Sequence, residues 1–123
     1  MLQTNLNKYH LYNNIIMNFS FLDQKNEVEI EEISNDNFKE ITENENYEYF
    51  IFDFYATWCG PCKIASQEFK FIASEFENMK FCKIDVDDND LIDDYEIEYL
   101  PTIMVFKKND FKKHIFKSET GDL

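Results

Sequence analysis

The sequence contains no arginine, only two glycines and two prolines, and no long uninterrupted run of apolar residues. A helix needs about 18 apolar residues in a row to cross a bilayer, so the sequence predicts no membrane insertion. The 25 acidic residues outnumber the 12 lysines, which gives a net charge of -13. Because proteins that bind nucleic acid need a basic face, this charge balance predicts no nucleic-acid partner.

Cysteine and histidine are also scarce, with three and two residues in a chain of 123. Small secreted domains that are held together by disulfides carry more cysteines, and a disulfide across a two-residue loop removes little chain entropy. A zinc site needs four ligands. The candidates beyond the Cys59 and Cys62 pair offer no second CxxC and no HxxxH spacing; they are Cys82, His10 and His114. We therefore predict no metal site.

The two closely spaced cysteines, Cys59 and Cys62, directly follow a strand-like run. Residues 49–55 (YFIFDFY) are almost all apolar or aromatic, which is typical of a parallel strand that helices cover on both faces. Pro61 suits the first turn of a helix, where a missing N–H costs nothing. Apolar residues then recur at spacings of four and three, which predicts a helix that starts near Gly60; they are Ala65, Phe69, Ile72, Phe76 and Met79.

The position of these two thiols predicts redox chemistry. A sulfur at a helix N-terminus faces unpaired backbone N–H groups and the positive end of the helix dipole, and both favour the thiolate. Cys59 is therefore the predicted nucleophile. Cys62 lies one turn into the helix and faces inward, where it can attack a mixed disulfide formed at Cys59 and act as the resolving cysteine.

The chain resembles thioredoxins over roughly residues 28–121, and the resemblance extends beyond the WCGPCK motif. Asp53 lies six residues before Cys59, where thioredoxins carry a buried aspartate. Pro101 lies where the family has a cis-proline that faces the disulfide, and Lys83 lies where bacterial-type thioredoxins place a lysine beside the aspartate. The resemblance implies the α/β thioredoxin fold, a central mixed β-sheet flanked by helices.

Asp53 is a candidate catalytic residue because it interrupts an apolar strand. An isolated buried carboxylate is costly enough to raise its own pKa. A carboxyl of raised pKa beneath the cysteines can accept the proton from Cys62 during resolution, with Lys83 tuning that pKa. The alternative is a carboxylate at the end of the strand that reaches solvent.

Substrate-binding residues are expected on both sides of the cysteine pair. Base rates favour a trans bond before Pro101, so the cis bond is implied by the resemblance alone. With that bond, the Leu100 backbone lies beside the sulfurs and can pair with an extended substrate segment. Trp58 supplies an apolar surface next to the nucleophile, or else is an aromatic at the helix edge with no role in recognition. Gly60 and Pro61 complete the predicted substrate surface.

The resemblance implies a protein disulfide reductase with a reversible dithiol/disulfide couple at Cys59 and Cys62. It implies that no cofactor is bound and that electrons come from NADPH through thioredoxin reductase. The implied substrates are disulfide-bonded proteins such as peroxiredoxins, and Gly-Pro between the cysteines favours the reducing direction. The alternative is a redox-inactive thioredoxin-like adaptor or chaperone, a binding module that would tolerate loss of Cys62.

The C-terminal end of the predicted domain, residues 28–123, departs from the family pattern. Thioredoxins usually close with a helix after the last strand, and here that helix is predicted to be missing. The sheet face left bare would be an apolar patch that needs a partner or a substitute. Gly121 lies later than the family's glycine near the active site, so that role is not transferred to it.

Residues 1–27 form an N-terminal extension for which three interpretations remain open: a disordered extension, a targeting segment, or a segment that covers the bare sheet face. Asn13, Asn14 and Asn18 interrupt the apolar run that a signal peptide requires. The segment also lacks the arginine and serine of a transit peptide. We expect a cytoplasmic protein, with import into an organelle through residues 1–27 as the alternative.

The remaining pattern predicts the other elements of the domain. Residues 28–33 form a first strand, after which Ser34 or Asp36 caps a short helix. A strand ends near residue 86, and Asn89 caps another short helix. Residues 103–106 and 111–116 form a terminal hairpin. Cys82 is interpreted as a small hydrophobic core residue.

Overall fold

The computed structural model describes residues 28–119, and the hypotheses about residues 1–27 and Gly121 lie outside this range. Five strands and three helices alternate along the described chain. They are β1 (Glu31–Glu32), α1 (Phe38–Thr42), β2 (Tyr49–Tyr55), α2 (Gly60–Ala73), β3 (Met79–Asp85), α3 (Leu91–Tyr95), β4 (Thr102–Lys107) and β5 (Phe116–Glu119).

The strands form one mixed sheet in the order β1-β3-β2-β4-β5. Strands β1, β3 and β2 are parallel, β4 is antiparallel to β2, and β5 is antiparallel to β4. The predicted central mixed β-sheet with flanking helices is confirmed. Strand β2 lies at its centre with five consecutive buried residues, as its nearly continuous apolar sequence predicts.

Alternation along β2 separates two hydrophobic cores, one on each face of the sheet. Phe50, Phe52 and Phe54 are fully buried on the face that α1 and α3 cover, and they pack there with residues of β3 and β4. Ile51 lies on the opposite face, where it packs with Phe69 of α2. Asp53 follows Ile51 at a spacing of two and therefore lies on the α2 face.

Helix α2 begins at Gly60 as predicted, but its buried stripe differs from the prediction. The buried residues are Cys62, Phe69 and Ala73, which recur at spacings of seven and four. Ile72 and Phe76 are each 46% exposed, because Ile72 lies about 100° around the helix from Ala73 and Phe76 lies beyond the helix end. The predicted continuation to residue 79 is wrong, since that residue opens β3.

The first strand and the cap of the first helix also differ from the prediction. Only Glu31 and Glu32 pair with β3, rather than the whole of residues 28–33. The residue at the N-cap of α1 is Asn37. Its side-chain oxygen accepts a hydrogen bond from the Ser34 backbone N–H at 2.8 Å, so it closes the turn before the helix instead of capping the helix.

The terminal hairpin starts its second strand at Phe116, not at Phe111 as predicted. Phe111 turns inward, and its ring lies 5.1 Å from that of Phe50 and 6.0 Å from that of Phe106. Phe111 is half-buried in this position, and residues 111–114 leave the β-ladder, whereas the Ile115 N–H donates to the Val105 carbonyl at 2.8 Å. The strand resumes where Val105 pairs with Phe116.

On the α2 face, the apolar side chains of β4 pack against the cluster that contains Phe69 and Ala73 of α2, whereas the apolar side chain of β5 is exposed. Ile103 and Val105 are half-buried, and Phe116, the partner of Val105 on β5, is 56% exposed. The predicted absence of a helix after β5 concerns residues that lie outside the described range.

Candidate active site

Cys59 and Cys62 form a disulfide at the start of α2, with their Cα atoms 5.3 Å apart. Cys59 is the N-cap residue, with extended backbone angles, and its Sγ accepts a hydrogen bond from the Cys62 N–H at 3.2 Å. That N–H is one of the donors that a helix start leaves without a backbone partner. The sulfur of Cys59 therefore lies where backbone N–H groups and the helix dipole stabilise negative charge.

The two cysteines are buried next to the loop that precedes β4. Cys59 is 5% exposed and Cys62 is 2% exposed, and Leu100 packs against the cluster that they form with Ala56. The Leu100–Pro101 peptide bond is cis. The structure thus brings Leu100 and the cysteine pair together, although they are about 40 residues apart in the sequence.

Asp53 is buried on the sheet face that α2 covers, with 2% of its surface exposed. Its Oδ1 has no hydrogen-bond partner among the described residues. Burial raises the pKa of Asp53 from 3.8 to about 6, and the positive charge of Lys83 opposes this rise. The alternative of a carboxylate that reaches solvent is inconsistent with this burial. A carboxyl with a pKa of about 6 can exchange a proton near neutral pH.

Lys83 is paired in register with Asp53 on the adjacent strand, so both side chains lie on the α2 face. The expected position beside the aspartate is therefore the one observed. Lys83 is half-buried, and its Nζ lies 5.9 Å from the centre of the Tyr55 ring. Neither Tyr55 nor its hydrogen bond to Glu32 was singled out from the sequence, although the spacing of two from Asp53 already placed Tyr55 on that face.

Trp58 lies at the surface immediately before Cys59 and is 72% exposed. Its Nε1 donates a hydrogen bond to Asp87 Oδ2 at 2.8 Å, which fixes the orientation of the ring. Asp87 was not predicted as a site residue. The available signal was its position in the acidic loop directly after β3, because the carboxyl ends of parallel strands in one sheet meet at the same edge.

Gly60 and Pro61 form the exposed first turn of α2. Gly60 has a negative φ, and a Cβ placed on it would have no neighbour within 4 Å. The space above this residue is therefore open to a partner. Pro61 is half-buried at a position where its missing N–H breaks no helical hydrogen bond.

Cys82 lies apart from the cysteine pair, on the opposite face of the sheet from α2, in the core cluster that contains Ile84 of β3 and Phe52 of β2. It is fully buried, and burial raises the pKa of its thiol to about 12. Residues 28–119 contain no group of three or more His, Cys, Asp or Glu side chains arranged to hold a metal ion. The described helices are also all too short or too polar to cross a membrane.

The match to known proteins rests on nearly the whole of the described chain. A family model described as thioredoxin matches residues 29–122. This chain belongs to the thioredoxin family. The thioredoxin of Mycoplasma genitalium is 50% identical over 64 residues, which cover 51% of this chain and 63% of that protein. The predicted family and fold are thereby confirmed.

Solved thioredoxin structures share the fold. Chloroplastic thioredoxin z has a TM-score of 0.62 at 35% identity, over 75% of this chain and 81% of that one. A chain from a structural study of thiol resolution in yeast mitochondrial 1-Cys peroxiredoxin via glutathione/thioredoxin systems has a TM-score of 0.62 at 27% identity, over 73% and 82%. The chain spans just under two thirds of the first curated relatives, 63% of the Mycoplasma genitalium thioredoxin and 64% of thioredoxin-1 of Caenorhabditis elegans.

Replacement of Asp53 by asparagine is expected to stabilise the folded protein at neutral pH. The folded chain holds this proton up to about pH 6, whereas the unfolded chain releases it near pH 3.8. The free energy of unfolding should therefore fall by roughly 3 kcal/mol in all as the pH rises from 3.8 to about 6, and stay level at higher pH. Asp53→Asn should remove this slope and gain about 2 kcal/mol at pH 7, measured by urea unfolding from pH 3.5 to 8.

Asp85→Asn is the matched control for this measurement. Asp85 is also buried, but its Oδ1 accepts a hydrogen bond from the Asp87 N–H at 3.0 Å, so neutralising it relieves no unpartnered carboxylate oxygen. It should give no comparable gain. An Asp53→Asn protein that keeps the wild-type pH slope would show that Asp53 is not the group responsible.

Proposed function

We propose that this protein is a thiol–disulfide oxidoreductase that acts mainly as a protein disulfide reductase. The observation that supports this best is the disulfide between the N-cap Cys59 and the inward-facing Cys62 at the start of α2, which packs on the sheet face that carries the buried Asp53. In the reduced protein, the Cys59 thiolate attacks a substrate disulfide and displaces one substrate sulfur as a thiolate. Cys62 then attacks Cys59 Sγ in the mixed disulfide, which releases the second substrate sulfur and oxidises the pair.

The second step requires a proton acceptor for the Cys62 thiol, and Asp53 is proposed for this role. Its carboxyl lies on the α2 face, and its pKa of about 6 leaves it mostly ionised at pH 7 while keeping it basic enough to accept a proton. Transfer takes place directly or through one water molecule. Lys83 favours the ionised form of Asp53 and so tunes the pH range in which it can act.

The proposed substrate surface surrounds the exposed edge of the disulfide. The Leu100 backbone offers hydrogen-bonding groups to an extended segment of substrate, in the manner of strand addition. Trp58 contributes an exposed aromatic face held by Asp87, and Gly60 and Pro61 leave open space beside Cys59. Such a surface suits an unfolded or flexible disulfide-bearing segment better than a small molecule.

We further propose that the oxidised protein is reduced by thioredoxin reductase with electrons from NADPH, without a bound cofactor. Peroxiredoxins are proposed substrates, because a similar chain occurs in the structural study of a yeast mitochondrial peroxiredoxin. The cytoplasm is the proposed compartment. Import into an organelle through residues 1–27 is the alternative, and similarity to a chloroplastic thioredoxin supports it.

The deciding experiment measures NADPH oxidation when the purified protein is mixed with thioredoxin reductase and a disulfide-bonded protein. We expect turnover that is proportional to the amount of this chain and absent when it is omitted. The proposal would be overturned by a protein that circular dichroism shows to be folded but that supports no NADPH oxidation. The same protein would also fail to accelerate reduction of the substrate disulfide by dithiothreitol, which needs no reductase.

The competing function is a redox-inactive adaptor, and the apolar surface of the chain favours it. Phe116 on β5 is 56% exposed, and Ile64 and Phe71 on α2 are 66% and 49% exposed. Exposed apolar patches often mark interaction sites. The adaptor hypothesis expects partner binding to survive in Cys62→Ser, measured by titration calorimetry, whereas the reductase hypothesis expects loss of turnover in the same variant.

A further inference from the structure

Three charged side chains form a row across the sheet next to the disulfide. Glu32 of β1 is paired in register with Lys83 of β3, which is paired with Asp53 of β2. Residues in register on neighbouring strands point to the same face, and the strands lie about 4.8 Å apart. The Lys83 side chain thus projects between an exposed carboxylate and a buried one. Among the described residues it forms a salt bridge with neither.

Tyr55 contacts two members of this row. It follows Asp53 by two residues and therefore lies on the same face. Its hydroxyl donates a hydrogen bond to Glu32 Oε1, and its ring centre lies 5.9 Å from Lys83 Nζ, within the range of a cation–π interaction. The same ring packs against the cluster that contains the disulfide, which restricts its motion.

We propose that Tyr55 is a positioning residue that holds the Lys83 ammonium over its ring and holds the Glu32 carboxylate on its hydroxyl. Glu32 is in register with Lys83, so without this hydrogen bond its flexible side chain would pair with the ammonium. Glu32 and Asp53 therefore compete for the positive charge of Lys83. By holding the Glu32 carboxylate, Tyr55 leaves more of that charge available to Asp53. The catalytic consequence rests on the proton-acceptor role proposed for Asp53.

The other groups around the row support this arrangement. Lys83 is the charge that lowers the pKa of Asp53 against the effect of burial. On β4 the residue opposite Asp53 is Ile103, which is uncharged. On the α2 side the oxidised cysteine pair carries no charge. Asp85 and Asp88 act on the Tyr55 hydroxyl, whose pKa is raised by burial first and then by Glu32 and these two carboxylates.

The test is a carbon-13 NMR titration of the Asp53 carboxyl in the oxidised protein, where neither active-site cysteine can titrate. Tyr55→Phe keeps the ring but releases Glu32, so the Asp53 pKa should rise by about 0.5, a shift typical of one partly screened charge. Glu32→Gln removes a competing charge that Tyr55 already holds off the ammonium, so the Asp53 pKa should fall, by less than it rises in Tyr55→Phe. The opposite signs identify competition, because simple loosening of the structure would move both variants in one direction.

Glu31→Gln is the matched control, since Glu31 neighbours Glu32 on β1 but pairs with Lys80 at 3.5 Å. It should leave the Asp53 pKa unchanged. Equal or absent shifts in Tyr55→Phe and Glu32→Gln would overturn the proposal. The titration involves no turnover, so this result is independent of whether the protein is a reductase.

Discussion

Replacement of Cys59 by serine is expected to abolish disulfide reduction, with a loss of turnover of about 1,000-fold or more. A serine hydroxyl stays protonated at neutral pH and cannot attack a disulfide, even at the N-cap position that stabilises the Cys59 thiolate. The expected residual rate is that of the assay without the protein. The measurement is NADPH oxidation coupled to thioredoxin reductase and a disulfide-bonded protein.

Cys62→Ser is expected to lose turnover by a different route. The nucleophile is intact, so the first attack proceeds, but no inward thiol remains to resolve the mixed disulfide. Mass spectrometry without reducing agent should therefore find the substrate covalently attached at Cys59. Cys82→Ala, which alters the third cysteine on the other face of the sheet, should keep turnover near the wild-type rate. Trapping in Cys59→Ser instead of Cys62→Ser would reverse the assigned order of the two thiols.

Truncation of Phe52 to alanine is expected to cost about 3–5 kcal/mol in the free energy of unfolding. Its ring is fully buried at the centre of the sheet and lies 5.1 Å from the Phe106 ring and 6.2 Å from the Phe38 ring. Because β4 and α1 are already packed around it, the cavity left by the ring can close only partly. Urea unfolding of the oxidised protein, followed by circular dichroism, measures the loss.

Phe116→Ala is the matched control for this experiment, with the same change at a side chain that is 56% exposed. It should cost less than about 1 kcal/mol, as is usual for a surface position. A cost for Phe116→Ala close to that for Phe52→Ala would contradict the present picture, because it would mean that the α2 face of β5 is covered in solution.

The centre of the fold was predictable because its sequence signals are local and agree with one another. The apolar run of residues 49–55 identified β2, and the Gly-Pro dipeptide after Cys59 identified the start of α2. The register of β2 and β3, which pairs Asp53 with Lys83, agrees with what the family resemblance implied. The strand pattern favoured burial of Asp53 but left open a carboxylate that reaches solvent, and the observed burial decides between the two.

The edges of the fold could not be predicted in the same way, because distant contacts decide them. Phe111 lies in an apolar run that favours a strand, yet its ring fills a space between Phe50 and Phe106. The bond between Trp58 and Asp87 joins residues 29 positions apart. The contact of Tyr55 with Glu32 likewise requires β3 to lie between their two strands. No local pattern contains this information.

The isolation of Cys82 gives the three cysteines two separate chemistries. Cys59 and Cys62 lie at the N-terminus of α2 and form a disulfide, whereas the Cys82 thiol is fully buried and has a pKa of about 12. An electrophile reacts with thiolate, so Cys82 becomes reactive only when β3 separates from its neighbours and water reaches the sulfur. Labelling of Cys82 therefore records opening of the sheet, while labelling of the other two records oxidation state, and one chain carries an internal reporter for each process.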